Sequence, residues 1–250
     1  MRNINRFFIK FSPFFEKQRD RCVRDYLGKN ESLREIIDRC DKTSKSCGVS
    51  LSDYVALYEI VRHRKPRFVL ECGTGKSTMI IAQAMLDNRE KDGIDDIKLV
   101  SMDHNKEWQE HAVSIFPEKF KSFVEILYSP LKIYGCSLIR GTIYEEVPNH
   151  PYEFVFVDGP SQEGMCNMQF VKVVENSDIP VSAVTDNRKN SVLAYTLLFG
   201  PDKVSYYVPW SLGIVDEVTS NDFVFKDPLK MKTTIFDHVV PFRFGNPIGK

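Results

Sequence analysis

Apolar residues in this chain fall into two patterns. Short continuous apolar runs are typical of strands buried on both faces, whereas longer segments with apolar residues every three or four positions are typical of amphipathic helices. The two patterns alternate along most of the chain, which predicts a parallel β-sheet with crossover helices on its faces. The predicted fold class is therefore α/β, with a doubly wound, mostly parallel, seven-stranded sheet.

The pattern places each predicted element on the sequence. Strands are predicted at residues 68–70, 98–102, 123–127, 154–157, 181–185 and 204–208, with a closing strand at 223–225 or 233–240. Helices are predicted at 50–64, at 79–86 and after residue 103. Ser50 and Asp53 form a Ser-x-x-Asp capping pattern at the start of the first of these helices. The charged stretch 87–96 is predicted to be a surface loop.

The most informative segment is the turn after the first predicted strand. Residues 67–78 read Arg-Phe-Val-Leu-Glu-Cys-Gly-Thr-Gly-Lys-Ser-Thr, so a buried strand leads into a glycine-rich turn with an acid at the junction. The pattern Glu71-x-Gly73-x-Gly75 lets the backbone turn tightly and lets a ligand approach the main chain, because glycine has no Cβ. One interpretation is a site for a nucleotide-type ligand. The other is an ordinary strand-to-helix turn whose glycines allow close packing.

A phosphate-binding loop is a competing interpretation of the same turn. Gly75-Lys76-Ser77-Thr78 matches the end of the motif G-x-x-x-x-G-K-[ST]. The motif needs a second glycine five residues earlier, where this chain has Leu70 inside the strand, and Glu71 would repel a phosphate. An ATP-dependent enzyme is therefore the weaker alternative, and Lys76 is expected to point to solvent.

Acids occupy comparable places at the ends of three predicted strands: Glu71, Asp103 and Asp158. Because the carboxyl ends of parallel strands face one crevice, we expect the three side chains to converge there. A single aspartate at a strand end is most often a helix N-cap, but three together favour a ligand site. Asp103, with His104 beside it, is expected to accept hydrogen bonds from the two hydroxyls of a ribose.

Charge and cysteine content narrow the classes of partner. The 250 residues carry 34 basic and 34 acidic side chains, so there is no global electrostatic signal for nucleic acid. No apolar run reaches the roughly 18 residues of a membrane span, and the first residues have too short an apolar core for a secretory signal. The six cysteines form no C-x-x-C pair or His-spaced cluster, which predicts reduced thiols in a cytoplasmic protein.

The composition suits one globular domain with additions at its periphery. We predict an N-terminal helical extension or cap at residues 1–49 and the main domain at residues 50–250. Residues 1–24 are basic and rich in phenylalanine, with Pro13 interrupting the helical pattern. A cap packed on the domain is the favoured interpretation, and an amphipathic helix for a partner or a membrane surface is the alternative.

Taken together, the motifs resemble the class I S-adenosylmethionine-dependent methyltransferases from about Leu70 to Asn187, in their order and placement. The matching pieces are Glu71-Cys-Gly-Thr-Gly-Lys-Ser77, Met102-Asp-His-Asn-Lys-Glu-Trp108, Tyr152-Glu-Phe-Val-Phe-Val-Asp-Gly-Pro160 and Val184-Thr-Asp-Asn187. The resemblance implies a Rossmann-like domain that binds S-adenosylmethionine. It assigns the methionine end to the segment containing Glu71, Gly73, Gly75 and Ser77, the ribose to Asp103 and His104, and the adenine to the segment near Ser129.

A narrower resemblance is to metal-dependent O-methyltransferases of the catechol type. By this resemblance Asp158, Asp186 and Asn187 bind Mg²⁺, and Asp158 is part of the catalytic centre. Such a set would leave room for substrate oxygens around the ion. The alternative for Asp186-Asn187 is an ordinary turn after a strand. The family's lysine base is replaced by Ser161. Three alternatives therefore stay open: the metal alone activates the hydroxyl, a group such as Asp158, His104 or Lys189 acts as the base, or the protein is not of the catechol type.

The resemblance implies methyl transfer to an oxygen of a small-molecule or sugar acceptor, Mg²⁺-assisted in the catechol-type case. Two alternatives remain from the sequence. One is the ATP-dependent enzyme described above, and the other is a methyltransferase-like binding module without turnover, which the missing lysine keeps open. A homo-oligomer is compatible with the sequence.

Overall fold

An eight-stranded sheet forms the centre of the structure, a computed structural model that describes residues 2–44, 50–160, 165–224, 242–243 and 245–247. In chain order the strands are β1 (Phe68–Cys72), β2 (Lys98–Asp103), β3 (Val124–Tyr128), β4 (Leu131–Cys136), β5 (Ile139–Tyr144), β6 (Phe154–Val157), β7 (Cys166–Asn167), β8 (Val181–Asp186), β9 (Val204–Tyr207), β10 (Leu212–Val218) and β11 (Phe242–Arg243). The helices are α1 (Arg2–Lys29), α2 (Glu31–Thr43), α3 (Leu51–Arg64), α4 (Lys76–Asp92), α5 (Lys106–Ile115), α6 (Gln169–Asn176) and α7 (Lys189–Phe199), with short 3₁₀ turns at Glu118–Phe120 and Val208–Trp210.

The order of strands in the main sheet is β11-β9-β10-β8-β6-β1-β2-β3. β10 runs antiparallel to both of its neighbours, and the other pairings are parallel. The α/β fold with a seven-stranded, mostly parallel sheet is thereby confirmed, with the two-residue β11 added at one edge. The carboxyl ends of β1, β2 and β6 lie side by side, because β1 pairs with both other strands.

The structure tests only one of the two places predicted for the closing strand. Residues 223–224 are not in a strand, and residues 225–241, which include the second predicted segment, lie outside the described residues. A strand that the pattern did not predict, β10, lies between β8 and β9. Its alternation is broken by Asp216 and Glu217, both exposed at an irregularity in its pairing with β8, so its sequence does not look like a strand.

Alternate residues of the strands face helices on opposite sides of the sheet. In β1, Val69 packs in one core with α2, α3 and α4, whereas Leu70 packs in a second core with α6, α7 and β5. Both residues are fully buried. Burial on both faces explains why the strand reads as a continuous apolar run rather than an alternating one.

The sequence correctly predicted where α3 begins and ends. α3 begins after Ser50, whose backbone N–H donates to the Asp53 carboxylate at 3.0 Å, and it ends before Pro66, as predicted. The predicted surface loop at 87–96 is wrong for residues 87–92, which belong to α4, whereas residues 93–96 lie outside helices and strands, as predicted. Asp87 is buried and accepts hydrogen bonds from Tyr58 Oη at 2.5 Å and Ser32 Oγ at 2.7 Å, which keep this charged segment helical.

A small second sheet of β4, β5 and β7 was not predicted from the sequence. β4 and β5 form an antiparallel hairpin, which follows β3 and precedes β6 in the chain. Tyr144, at the end of β5, is buried in the second core and faces the carboxyl edge of the main sheet through its hydroxyl, which donates to Met102 O at 2.8 Å. The hairpin therefore contributes to the edge where the predicted site lies.

The N-terminal helices pack on the main domain. α1 passes through Pro13 without ending, contrary to the predicted interruption. Leu33, Ile36, Ile37 and Cys40 of α2 are buried in the same core as α3 and α4. This packing supports a cap for α2 and the second half of α1, while the boundary at residue 49 lies in an undescribed stretch and stays a prediction.

The described helices include none with the length and apolarity needed to cross a membrane. Cys22, Cys40, Cys72, Cys136 and Cys166 are free thiols.

Candidate functional site

The glycine turn after β1 and the turn after β6 are in backbone contact. A Cβ atom placed on Gly73 would lie 2.7 Å from the amide nitrogen of Gly159. Gly73 also has φ +97, a region that favours glycine. The N–H of Asp158 donates to Cys72 O at 2.9 Å, so the two strand ends are joined. Asp158 is therefore held beside the glycine turn, as the sheet topology predicted.

Glu71 lies below this turn and not in the open cleft. Its side chain is fully buried, and its carboxylate accepts hydrogen bonds from Ser77 Oγ at 2.6 Å, Thr78 Oγ1 at 2.5 Å and Ser101 Oγ at 2.6 Å. Burial raises the pKa of Glu71 to about 7, against the lowering effect of the three hydroxyls. Glu71 thus ties β1 to β2 and to the first turn of α4, and in this arrangement it has no surface for direct contact with a ligand.

Asp103 is held at the end of β2 by two backbone N–H groups. Thr74 N donates to one carboxylate oxygen at 3.1 Å and Asn105 N donates to the other at 2.8 Å. The helix cap that an aspartate at this place would often provide is supplied by Asn105, whose side chain accepts from Trp108 N at 3.0 Å. Asp103 is 6% exposed and each of its oxygens has a lone pair left for a ligand. His104 Nδ1 lies 3.5 Å from Asp103 Oδ1.

The first turn of α4 completes the floor of the site. The helix begins after Gly75, and the free N–H groups of a helix N-terminus favour a negatively charged ligand group. The Trp108 indole N–H donates to Thr74 O at 2.7 Å and holds the loop from the other side. The expectation that Lys76 points to solvent is wrong, because its side chain is 13% exposed and its Nζ lies 2.9 Å from Asp41 of α2.

The hairpin supports the same turn through Tyr144. Its hydroxyl oxygen accepts from Gly73 N at 3.1 Å while the hydroxyl donates to Met102 O. Tyr144 is 2% exposed. It therefore connects the ends of β1 and β2 to the second sheet.

Asp158 forms an ion pair with Arg188. Arg188 Nη2 lies 2.9 Å from Asp158 Oδ1, and both side chains are partly exposed, at 32% and 27%. Burial raises the pKa of Asp158, although the positive charge of Arg188 opposes the shift. Arg188 was not among the residues predicted from the sequence.

Asp186 and Asn187 lie at the end of β8. Asp186 is 8% exposed, and burial, followed by the negative charges of Asp158 and Asp53, raises its pKa to about 7. Asn187 is exposed, has φ +44 and donates its backbone N–H to Ser211 O at 2.8 Å. Within the described ranges, no group of three or more His, Cys, Asp or Glu side chains is arranged to hold a metal ion. The predicted metal ligands are two aspartates and one asparagine, so the absence of such a group does not test them. They stay a prediction.

A cleft of about 180 Å³ lies between these elements. It is lined by Gly73, Thr74, Gly75, Lys76, Ser77, Asp103, His104, Trp108, Asp158, Gly159, Pro160 and Arg188. The cleft is smaller than the roughly 300–1,000 Å³ typical of small-molecule sites. It would thus enclose part of a cofactor as large as S-adenosylmethionine.

Six of the predicted residues line the cleft: Gly73, Gly75, Ser77, Asp103, His104 and Asp158. Glu71, Ser129, Asp186 and Asn187 do not line it. Ser129 is 2% exposed, and its N–H donates to Asp103 O at 2.9 Å, so it joins the ends of β2 and β3. A larger cavity of about 680 Å³ lies near the amino ends of β6 and β8, and none of the predicted site residues lines it.

The sequence reasoning missed Thr74, Trp108, Tyr144 and Arg188 as site residues. Thr74 and Trp108 were named only as parts of the matching motif pieces, although an indole N–H usually needs a partner when buried. Arg188 directly follows the Asp186-Asn187 pair, and a cation next to a set of acids was the available signal. No spacing in the sequence indicates Tyr144, because its contact with Gly73 joins positions 71 residues apart.

Residues 70–176 match the family model described as "Methyltransferase domain". The resemblance of this segment to class I S-adenosylmethionine-dependent methyltransferases is thereby confirmed. No curated protein matches the chain.

Several solved structures are similar to the chain. A methyltransferase from Geobacter sulfurreducens is 14% identical with a TM-score of 0.46, over 75% of this chain and 90% of that one. A putative O-methyltransferase from Klebsiella pneumoniae is 13% identical with a TM-score of 0.45, over 73% and 77%. An O-methyltransferase from Bacillus cereus in complex with SAH is 16% identical with a TM-score of 0.42, over 70% and 77%.

Proposed function

From the premise that residues 70–176 form a methyltransferase domain, we propose that the protein transfers the methyl group of S-adenosylmethionine to an oxygen of a small-molecule acceptor. The observation that carries the proposal is the cleft where Asp103, the N-terminus of α4 and Asp158 meet. Asp103 and His104 line one part of the cleft, and Asp158 and Arg188 line another. This arrangement suits a ligand with a ribose at one end and a reactive sulfonium near the other.

We assign the cofactor groups by charge and hydrogen-bonding capacity. The ribose hydroxyls would donate to Asp103, whose orientation is held by Thr74 N and Asn105 N. The methionine carboxylate would lie at the N-terminus of α4, near Gly75 and Ser77, where the helix dipole favours an anion. Glu71 would act indirectly by holding Ser77 and Thr78 in place.

The acceptor would lie beside Asp158, at the end of the cleft formed with Gly159 and Arg188. Transfer needs the acceptor oxygen in line with the methyl–sulfur bond, and Asp158, which lines the cleft there, would take the hydroxyl proton. A sugar is one acceptor that the sequence predicts. A sugar acceptor, a homo-oligomer and a cytoplasmic location stay predictions.

Magnesium assistance also stays a prediction. Asp158, Asp186 and Asn187 offer the oxygen donors that Mg²⁺ prefers. Burial is the main cause of the raised pKa of Asp186, and the negative charges of Asp158 and Asp53 add to it. A cation would relieve this second contribution. When bound, Mg²⁺ would lower the pKa of an acceptor hydroxyl. Ser161, which replaces the family's lysine, lies outside the described residues.

The test is calorimetric titration with S-adenosylhomocysteine and, separately, with ATP. We expect S-adenosylhomocysteine to bind and Asp103→Ala to weaken it roughly tenfold to a hundredfold, the range for lost hydrogen bonds to a charged group. The matched control is Asp178→Ala, which removes an exposed carboxylate at the larger cavity and should leave affinity unchanged. Binding of ATP alone would refute the proposal and favour the phosphate-loop alternative.

A second measurement separates an enzyme from a binding module. Asp158→Ala should abolish methyl transfer to an acceptor found by screening while keeping S-adenosylhomocysteine affinity within about threefold of the unaltered protein, since Asp103 is untouched. Cofactor binding with no turnover on a broad panel of hydroxylated acceptors would favour the binding module.

A further inference from the structure

The carboxylate on which the magnesium prediction depends already has a cation beside it. Arg188 Nη2 lies 2.9 Å from Asp158 Oδ1, and both residues line the cleft. Arginine pairs with carboxylates through a planar set of donors. The charge that a divalent ion would supply at Asp158 is therefore partly supplied by the protein.

Arg188 belongs to the same short segment as two of the predicted ligands. It directly follows Asp186 and Asn187 and is the N-cap residue of α7. Its positive charge acts on both Asp158 and Asp186, while Asp53 at the start of α3 adds a further negative charge to the group. The cluster thus combines three acids with one guanidinium, and a divalent ion would have to enter beside that guanidinium.

The contacts of Arg188 would let it leave. Its pair with Asp158 is partly exposed, and partly exposed ion pairs are weak. Its Nε is buried and has no hydrogen-bond partner within the described part of the chain. The guanidinium thus keeps its hydrogen bond to Asp158 through Nη2 while its Nε has no partner among the described residues, so few contacts oppose its departure.

We propose that Arg188 is an internal competitor of divalent cations for Asp158, so that a metal ion binds only when the guanidinium leaves this carboxylate. This inference rests on the proposed function only for the identity of the ligand set. Arg188 would act by occupying a ligand oxygen and by repelling a second positive charge. The site would consequently hold divalent ions weakly as long as Arg188 is present.

The experiment measures the affinity of the protein for Mn²⁺ by electron paramagnetic resonance, with no acceptor or cofactor present. We expect Arg188→Ala and Arg188→Gln to bind Mn²⁺ roughly tenfold more tightly than the unaltered protein, because a competing charge within a few ångströms is removed. Adding Asp158→Asn to either variant should remove the gain. Two variants are used so that a folding defect in one does not decide the result.

The matched control is Lys189→Ala, which removes the same charge from the next residue, whose Nζ lies over the Tyr206 ring. Equal gains in Lys189→Ala and Arg188→Ala would show a general charge effect and overturn the proposal. It would also be overturned by unchanged Mn²⁺ affinity in both Arg188 variants, or by a gain that survives Asp158→Asn. Titration of the same proteins with S-adenosylhomocysteine tests the proposed function independently.

Discussion

Gly73 and Gly159 meet backbone to backbone at the carboxyl edge of the sheet, where a Cβ on either residue would lie within 3.0 Å of the other's main chain. The contact joins the turn after β1 to the turn after β6. Because no side chain fits between the two glycines, main-chain packing sets the position of Asp158 relative to the glycine turn.

Gly73→Ala should therefore weaken S-adenosylhomocysteine binding at least roughly tenfold and destabilise the fold. Its φ of +97 adds about 1–2 kcal/mol of backbone strain, and the clash with Gly159 adds about 1–3 kcal/mol. Gly93→Ala is the control, since Gly93 has φ +68 but nothing within 4 Å of the added Cβ. Calorimetry and urea denaturation of both variants measure the two effects. Equal losses in the two would mean that the close approach has no role.

The buried carboxylate of Glu71 should make stability fall as pH rises. Its folded-state pKa of about 7 lies above the ordinary value of 4.5, so the folded protein binds this proton more tightly than the unfolded chain. Stability from this group is fully present below the unfolded pKa and is lost as pH rises through about 7, by about 3 kcal/mol in total.

Glu71→Gln should remove this dependence, because glutamine stays neutral. Urea denaturation from about pH 5 to about pH 8 should show a smaller decline for the variant than for the unaltered protein. The pKa of Asp186 is also raised to about 7, but Asp186 is present in both proteins, so its effect cancels when their pH profiles are compared. Glu125→Gln, at an exposed site on β3, which β2 separates from β1, is the control and should leave the slope unchanged. Parallel pH profiles for Glu71→Gln and the unaltered protein would contradict the prediction.

Tyr144→Phe should reduce cofactor affinity although Tyr144 does not line the cleft. The variant loses the hydroxyl that accepts from Gly73 N and donates to Met102 O, at a stability loss of about 1–2 kcal/mol. We expect S-adenosylhomocysteine to bind about fivefold more weakly, as the glycine turn loosens. Tyr152→Phe, whose hydroxyl donates to Pro148 O at 2.8 Å, should lose comparable stability and keep its affinity. Unchanged affinity in Tyr144→Phe, or an equal loss of affinity in Tyr152→Phe, would refute the link to the turn.

Asp87 should be a major determinant of stability although it is far from the cleft. It accepts hydrogen bonds from Tyr58, Ser32, Gln83 and Lys91 while 2% exposed. Asp87→Ala should lower the free energy of unfolding by about 3 kcal/mol, since buried donors are left unpaired. Glu90→Gln, exposed on the same helix, should change it by less than about 0.5 kcal/mol. Chemical denaturation distinguishes the two, and similar small effects would argue against the network.

The sequence predicted strands where burial on both faces makes an apolar run continuous. Residues 154–157 were placed at their observed bounds. The hairpin of β4 and β5 was missed because its strands contain exposed polar residues and glycine, and because its turn at Ser137 lacks an Asn-Gly or Asp-Gly signal. Its position depends on packing against the second core.

Topology allowed part of the site to be predicted. Asp103 and Asp158 were found because parallel strands end at one edge, and the structure places both on the cleft. The enclosure of Glu71 could not be predicted, since it depends on three hydroxyls from two different elements. The pairing of Arg188 with Asp158 likewise requires the distance between two turns, which no local pattern encodes.

The contact between α1 and the β9–β10 connection has a consequence for truncation. Arg19 Nη1 donates to Pro209 O at 2.8 Å, and two residues later Ser211 O accepts the backbone N–H of Asn187. A fragment beginning at residue 50 would retain every predicted site residue. It would nevertheless expose the apolar surface that α2 covers and free the connection that braces Asn187, so the smallest segment carrying the motifs is not the smallest segment that would preserve the site.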